Sequence, residues 1–325
     1  MKYKPLLIVL GEPYSTFSEI VFKYFKSKKR TKNPILFIGS SKLIEKQMIK
    51  LNYKIKIKKI KIEEVGKNFL NHNNINIIDV NFKFKKTFDK ISKSSSNYLR
   101  ECFDISLHLL KKNKCIALVN GPISKKYFLN KKYLGITEYL TKKTKTKNSA
   151  MLIYNSNFSV SPVTTHLPVN KISKNLTKKN IIKNVLLINN FYKNNLKKLP
   201  EIAVLGLNPH CETINRLSEE DMIIKPAITS LLKKKIKIQG PYPADTFFSR
   251  KNIKKFDVVV GMYHDQVLTP MKTVFGFNAI NITLGLPFLR VSPDHGTNNA
   301  MIGMNKSSPE SLFTLINFFN KHYGR

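Results

Sequence analysis

Short apolar runs alternate along the chain with helix-length amphipathic segments. The runs at 5–10 (PLLIVL), 34–38 (PILFI), 115–119 (CIALV), 150–154 (AMLIY), 202–207 (IAVLGL), 257–260 (DVVV) and 279–284 (AINITL) read as buried strands. Between them, 16–28, 41–51, 95–113, 177–196, 218–234 and 309–321 carry helical spacing. The last opens with SSPES, where Pro309 and Glu310 suit a first turn. Strands that are apolar on both faces, separated by crossover helices, are the signature of a mostly parallel α/β sheet. Residues 54–61 (KIKIKKIK) instead alternate with period two, which predicts a half-exposed edge strand whose lysines discourage pairing with another chain. No internal repeat is present.

With 325 residues the chain is long enough to bury a large core, and two lobes are favoured over one. The 57 Lys+Arg against 20 Asp+Glu give a net charge of +37, a value that raises nucleic acid as a partner. The lysines, however, are spread over the whole sequence and accompanied by abundant Asn and Ile, and no basic run is interleaved with a stacking aromatic platform. They read as compositional bias rather than a dedicated basic face, so no specific nucleic-acid partner is expected. The positive field still favours phosphorylated substrates and dinucleotides. Cys102, Cys115 and Cys211 form no CxxC pair, which points to a reducing compartment, the cytoplasm. The apolar run in MKYKPLLIVLGEP is too short for a signal peptide and breaks at Gly11, so it reads as the first strand. No run approaches the roughly 20 apolar residues of a membrane span.

Chemistry concentrates where the apolar runs end. His166 closes FSVSPVTTH, His210 closes IAVLGLNPH and His264 closes DVVVGMYH. Ligands of parallel α/β sheets bind beyond the carboxyl ends of strands, so three imidazoles in one context form a candidate metal set. Neutral imidazoles suit Zn²⁺ or a similar transition ion better than Mg²⁺, with Co²⁺ also compatible. Asp265, beside His264, is either an outer carboxylate of that set or a helix cap. Lys272, Asn281 and Arg290 each lie at the edge of an apolar run and together offer a point charge, an amide and a planar fork, a trio suited to phosphate or carboxylate. Asp245, in GPYPADTFF, is either a helix cap or a catalytic carboxylate. Gly11–Ser18 (GEPYSTFS) follows the first strand and opens a helix, the usual place for an anion loop, but it lacks GxGxxG and GKS/T.

The blocks GEPYSTFSEI (11–20), NGPISK (120–125), GITEYL (135–140), TTHLP (164–168), GLNPH (206–210), GPYPADTFF (240–248), MYHDQVL (262–268) and NITLGLPFLRVSPDHGT (281–297) resemble the 4-hydroxythreonine-4-phosphate dehydrogenase family of pyridoxal phosphate biosynthesis, from end to end of the chain. The resemblance implies an isocitrate/isopropylmalate dehydrogenase-like α/β fold in which 1–325 form one two-lobed unit, the lobes interleaved in sequence and the active site between them. It implies an NAD- or NADP-dependent enzyme, working as a homodimer. Its divalent metal would be held by histidines of both subunits, matching His166, His210 and His264. Substrate contacts carry over to Thr137, Lys272, Asn281 and Arg290, and the loop DHGTNNAMIG makes His295 and Gly296 cofactor candidates. Asp245 or a metal-linked water is the expected proton acceptor. A sister metal-dependent dehydrogenase acting on another phosphorylated hydroxy acid, and a catalytically silent basic protein that binds nucleic acid, are the rival expectations. Three departures stand out: Ile136 where the family has His, CETINRLS (211–218) in place of a Gly-rich acidic stretch, and Ser124 in place of Asn. Loss of one charge-assisted contact at 136 is worth about 1.5–3 kcal/mol, roughly 10- to 150-fold in substrate affinity.

Overall fold

The computed structural model describes residues 4–27, 29–67, 70–129, 133, 135–212, 217–276, 278–293 and 296–324. Its strands are Leu6–Val9 (β1), Ile35–Gly39 (β2), Ile57–Lys59 (β3), Ile75–Asp79 (β4), Ala117–Asn120 (β5), Ala150–Tyr154 (β6), Ser159–Thr164 (β7), Ile202–Leu205 (β8), Ile238–Tyr242 (β9), Val258–Tyr263 (β10), Ile280–Leu284 (β11) and Leu289–Pro293 (β12). The chain forms two compact units, one from Met1–Lys142 with Pro287–Arg325, the other from Lys143–Leu286.

In the first unit the strand order is β3-β4-β2-β1-β5-β12, and its pairs are parallel, as the unbroken apolar runs predict. All four residues of β1 are fully buried. Each such side chain contributes about 1.5–3 kcal/mol relative to exposure, so the first run is core. Of the alternating segment 54–61, only Ile57–Lys59 pairs, as the edge strand beside β4. The loops after β1 and β5 are clasped: Glu12 N donates to Pro122 O at 2.9 Å, and Ser124 N donates to Glu12 Oε1 at 3.2 Å. The approach is so close that a Cβ on Gly11, which sits at φ 77°, would lie 2.5 Å from Pro122 O. The segment 11–18, which stands at the usual place of an anion loop without either glycine-rich motif, is thus closed rather than open. Residues 11–20 are all buried, and the Glu12 carboxyl occupies the interior where an anion would have to sit.

In the second unit the order is β11-β6-β7-β10-β8-β9. Here β7, β10, β8 and β9 are parallel, whereas β11–β6 and β6–β7 are antiparallel. The reversal between β6 and β7 follows from their connection, which is far too short for a crossover. Asn155 Oδ1 accepts from Asn157 N at 2.9 Å, an Asx turn that folds the chain back at once. The unit's core gathers Phe158, Val160, Leu205, Phe247, Phe256 and Val259 with Val267, Leu268 and Met271 from the helix His264–Phe275. Those three helix residues occupy one face, which fixes the helix against the sheet and sets where its first residue, His264, emerges.

Candidate active site

His264 and His166 owe their proximity to strand register. β7 and β10 are parallel neighbours with Thr164 opposite Tyr263, and the ends are locked by Thr164 Oγ1 donating to Met262 O at 2.7 Å. One residue beyond Tyr263 and two beyond Thr164, the two imidazoles lie with ring centroids 6.1 Å apart and planes 34° from parallel. Two imidazoles on one tetrahedral ion with N–metal bonds of about 2.0–2.1 Å have centroids about 5 Å apart, so a side-chain rotation separates the observed pair from a shared ion. His264 Nδ1 lies 2.8 Å from Asp265 Oδ1. Asp265 thus orients the His264 ring from the first helical turn, and the contact leaves His264 Nε2 for a ligand.

The third histidine sits differently. After β8 the chain turns through Gly206–Cys211, and His210 is exposed at φ 56°, ψ 8°, followed by Cys211 at φ 61°. Two consecutive left-handed residues without glycine cost about 1–2 kcal/mol each, so the turn must be held by other contacts. Glu220 supplies them. Its carboxylate, fully buried, accepts from Leu207 N at 2.7 Å, Asn208 N at 2.8 Å and Asn208 Nδ2 at 2.8 Å. Burial alone would raise the Glu220 carboxyl, but the donors from Asn208 and Leu207 together hold it below the ordinary glutamate value. Asn208 Nδ2 also donates to Glu219 Oε2 at 2.9 Å, and Glu219 accepts from Ser173 Oγ. Gln266 bridges two strand ends: Met262 N donates to its Oε1 at 2.7 Å and its Nε2 donates to Gly206 O at 2.7 Å. These supports were not among the sequence-predicted residues. Their signals were the Glu-Glu-Asp run at 219–221 and the glutamine two residues after His264. Of the stretch 211–218, residues 213–216 lie outside the described residues.

Among the described residues, no three His, Cys, Asp or Glu side chains of the one chain lie close enough to hold a metal ion. The structure therefore brings His166 and His264 together and leaves His210 on its own turn. Asp245 lies in the first turn of Ala244–Phe247, exposed, with its Oδ1 accepting from Thr246 N at 2.9 Å. That short helix packs on the turn carrying His210. The Cys211 thiol is pushed up by burial, with the Glu220 and Asp245 carboxylates adding to the effect. Lys272 is exposed on the helix that His264 opens, and Asn281 is half-buried on β11. Asn281 Oδ1 is buried without a hydrogen-bond partner, a state that costs about 1–3 kcal/mol unless a ligand supplies a donor.

In the first unit, Arg290 on β12 is 2 % exposed and its Nε donates to Asn120 Oδ1 at 2.9 Å. Burial pushes the guanidinium down to about 10, with the Glu138 carboxylate acting in the opposite direction. Thr137 and Ile136 are half-buried at the start of the helix Ile136–Lys143. Gly296 is exposed, and Thr297 O nearby accepts from Thr16 N at 3.3 Å. His295 lies outside the described residues.

A mostly parallel α/β chain that presents imidazoles and carboxylates beyond the carboxyl ends of its strands is built as a small-molecule enzyme. Over residues 30–318 the sequence matches the family described as pyridoxal phosphate biosynthetic protein PdxA. It is 37 % identical to 4-hydroxythreonine-4-phosphate dehydrogenase of Sulfurihydrogenibium sp., covering 96 % of each chain. It is 28 % identical to D-threonate 4-phosphate dehydrogenase of Salmonella typhimurium, over 97 % of this chain and 98 % of that one. The crystal structure of 4-hydroxythreonine-4-phosphate dehydrogenase from Klebsiella pneumoniae superposes with a TM-score of 0.85 at 26 % identity, over 97 % of this chain and 98 % of that one. The chain belongs to the PdxA family.

Proposed function

We propose that this chain is a 4-hydroxythreonine-4-phosphate dehydrogenase. It oxidises 4-phosphohydroxy-L-threonine with NAD or NADP to a β-keto acid, which loses carbon dioxide to give 3-amino-2-oxopropyl phosphate. The observation that carries the reading is the pair His166 and His264, held 6.1 Å apart by the register of two parallel strands, in a chain 37 % identical to a protein of that name.

The donor set fits a divalent transition ion. Histidines at the ends of three strands offer neutral imidazole nitrogens, and the Asp265 contact orients one of them. His166, His264 and His210 would hold the ion, Zn²⁺ in first place with Co²⁺ or Mg²⁺ as alternatives, in a homodimer that draws the set from both subunits. Such an ion would supply Lewis acidity toward the substrate's oxygens. A bound nicotinamide would supply the hydride acceptor, and Gly296 and His295 are the residues assigned to hold that cofactor.

The protein's own groups bind and take the proton. Lys272, as a point charge, and Arg290, as a fork, are assigned to the substrate's anionic groups, with Thr137 and Asn281 completing the polar contacts. Asn281 Oδ1, buried and unpartnered, is suited to accept from a substrate hydroxyl or ammonium. Asp245, exposed beside the His210 turn, is assigned as the base that removes the hydroxyl proton while the carbinol hydrogen leaves as hydride. The enzyme is placed in the cytoplasm. None of its described helices is long and apolar enough to cross a membrane.

The test is turnover of 4-phosphohydroxy-L-threonine with NAD and with NADP, before and after chelation and in His264→Ala. We expect loss of at least about 100-fold in both cases, with Zn²⁺ or Co²⁺ restoring the chelated wild type; full-rate turnover after either treatment refutes the metal role. The D-threonate 4-phosphate relative and Ile136 favour a second reading, a sister enzyme of different substrate. A panel including D-threonate 4-phosphate separates the two by kcat/KM.

A further inference from the structure

The turn Gly206–Cys211 contains the exposed His210, and its construction is unusual for a surface loop. When β8 ends at Leu205, the N–H groups of Leu207 and Asn208 point inward, and one oxygen of a fully buried carboxylate, Glu220 Oε1, accepts both at 2.7 and 2.8 Å. The other oxygen accepts from the Asn208 side chain at 2.8 Å, so three donors of two consecutive residues converge on one side chain. Pro209 restricts the next φ, and His210 and Cys211 then both adopt left-handed backbone. The turn closes on Gly206, where a Cβ would lie 2.6 Å from Cys211 Sγ and 3.0 Å from Glu220 Oε1. Gln266 holds the same glycine's carbonyl from the helix that begins at His264. A disfavoured backbone persists only where its surroundings over-determine it. The residue placed by this arrangement is an imidazole exposed to solvent, which itself adds nothing to the core.

We infer that Glu220 is a positioning residue for His210: by gripping the two preceding residues it fixes where that imidazole projects and so tunes the metal set. The inference rests on the reading of His210 as a ligand. Its oxygens reach Leu207 and Asn208, not the imidazole, so the effect is transmitted through the backbone. Glu220→Gln retains an acceptor for the two N–H groups but presents an amide donor to Asn208 Nδ2. Glu220→Leu removes every acceptor.

The experiment uses the full-length protein, stripped with chelator and titrated with Co²⁺ by visible absorbance, together with amide hydrogen exchange at Leu207 and Asn208. Wild type, His210→Ala, Glu220→Gln and Glu220→Leu are compared well below their melting temperatures. We expect Co²⁺ affinity to fall roughly 3- to 10-fold in Glu220→Gln and about 10- to 100-fold in Glu220→Leu, the range of substitutions that orient metal ligands from outside. Exchange at 207 and 208 should accelerate in step. A role limited to stability would lower the melting temperature and leave Co²⁺ affinity of the folded protein unchanged. Wild-type affinity in Glu220→Gln with fast exchange at 207 and 208, while His210→Ala loses Co²⁺, overturns the inference. If Glu220→Leu does not fold, the Gln variant alone decides. Undiminished Co²⁺ binding by His210→Ala overturns the ligand reading, and this inference with it.

Discussion

Gln266 offers the most direct check on how the strand ends are held. Its amide accepts from Met262 N at 2.7 Å and donates to Gly206 O at 2.7 Å, and all three residues are buried. Gln266→Met keeps length and removes both partners. Each of the two orphaned buried groups costs about 1–3 kcal/mol, and the apolar replacement returns about 1 kcal/mol, for a net loss of roughly 1–5 kcal/mol. At about 2–4 °C per kcal/mol for a unit of this size, thermal melting followed by far-UV circular dichroism should move down by on the order of 10 °C. Gln266→Glu isolates the donor half. A carboxylate can still accept from Met262 N, but only the protonated acid can donate to Gly206 O, so the folded state favours the neutral form and the folded pKa lies above the unfolded value of about 4.3. The sign follows from linkage: this variant's deficit should be smallest below that unfolded value and grow as pH rises through the folded one. Melting temperatures of wild type and both variants across pH 4.5–8 carry the result. A Met variant within about 0.5 kcal/mol of wild type, or a Glu variant whose deficit is flat with pH, refutes the account of Gln266 as a bridge.

Three further outcomes follow from the geometry. Burial raises the Glu12 carboxyl against the opposing bonds from Ser95 and Ser124, so ionising it costs folding stability as pH rises through its folded pKa. Glu12→Gln should melt with wild type in mild acid and above it at pH 8, and an equal offset at every pH would contradict this. Gly11→Ala places a Cβ 2.5 Å from Pro122 O at a positive φ and should destabilise by about 3 kcal/mol or more, read as a drop in urea midpoint. Glu220, whose carboxyl lies below its usual value, contributes stability above pH of about 4.5 that is lost as pH falls through the folded pKa. The acid limb of the wild-type melting curve should therefore flatten in Glu220→Gln.

Much of the fold was legible because buried parallel strands leave unbroken apolar runs: β1 and β8 fall within the predicted segments, and β2, β5 and β10 begin inside theirs and run past them by one, one and three residues. β4, β9 and β12 were missed, the first two for opposite reasons. β4 follows an Asn-rich turn that blurs its start, and β9 (IQGPY) is an edge strand whose exposed positions need no apolar residue. The antiparallel β6–β7 pair was also unreadable as such, since direction depends on a short Asn-rich turn rather than on the runs themselves. In the candidate site, histidine is a rare type in this chain and three of its seven close apolar runs, which made His166, His210 and His264 visible. Residues that only bond to backbone do not stand out, because Gln266 and Glu220 look like ordinary helix residues until the loops they hold are seen.

The same distinction explains why so basic a chain keeps the chemistry of its family. An ammonium is strongly hydrated and its burial costs several kcal/mol unless it is paired, so excess lysine accumulates where water remains. Among the described residues the buried charged side chains are Glu12, Glu19, Glu220 and Arg290, with no lysine. Three of the four are acids, and the supports of the strand ends, Thr164, Asn208, Gln266 and Glu220, are neutral or negative. A surface can therefore drift to +37 while the interior that aims the imidazoles stays electrostatically unaltered, since exposed charges beyond about 8–10 Å are screened at physiological salt. The drift acts on the approach of substrate instead. A net positive charge of this size attracts a phosphorylated anion before any specific contact forms, and raising salt should lower kcat/KM through KM while leaving kcat in place.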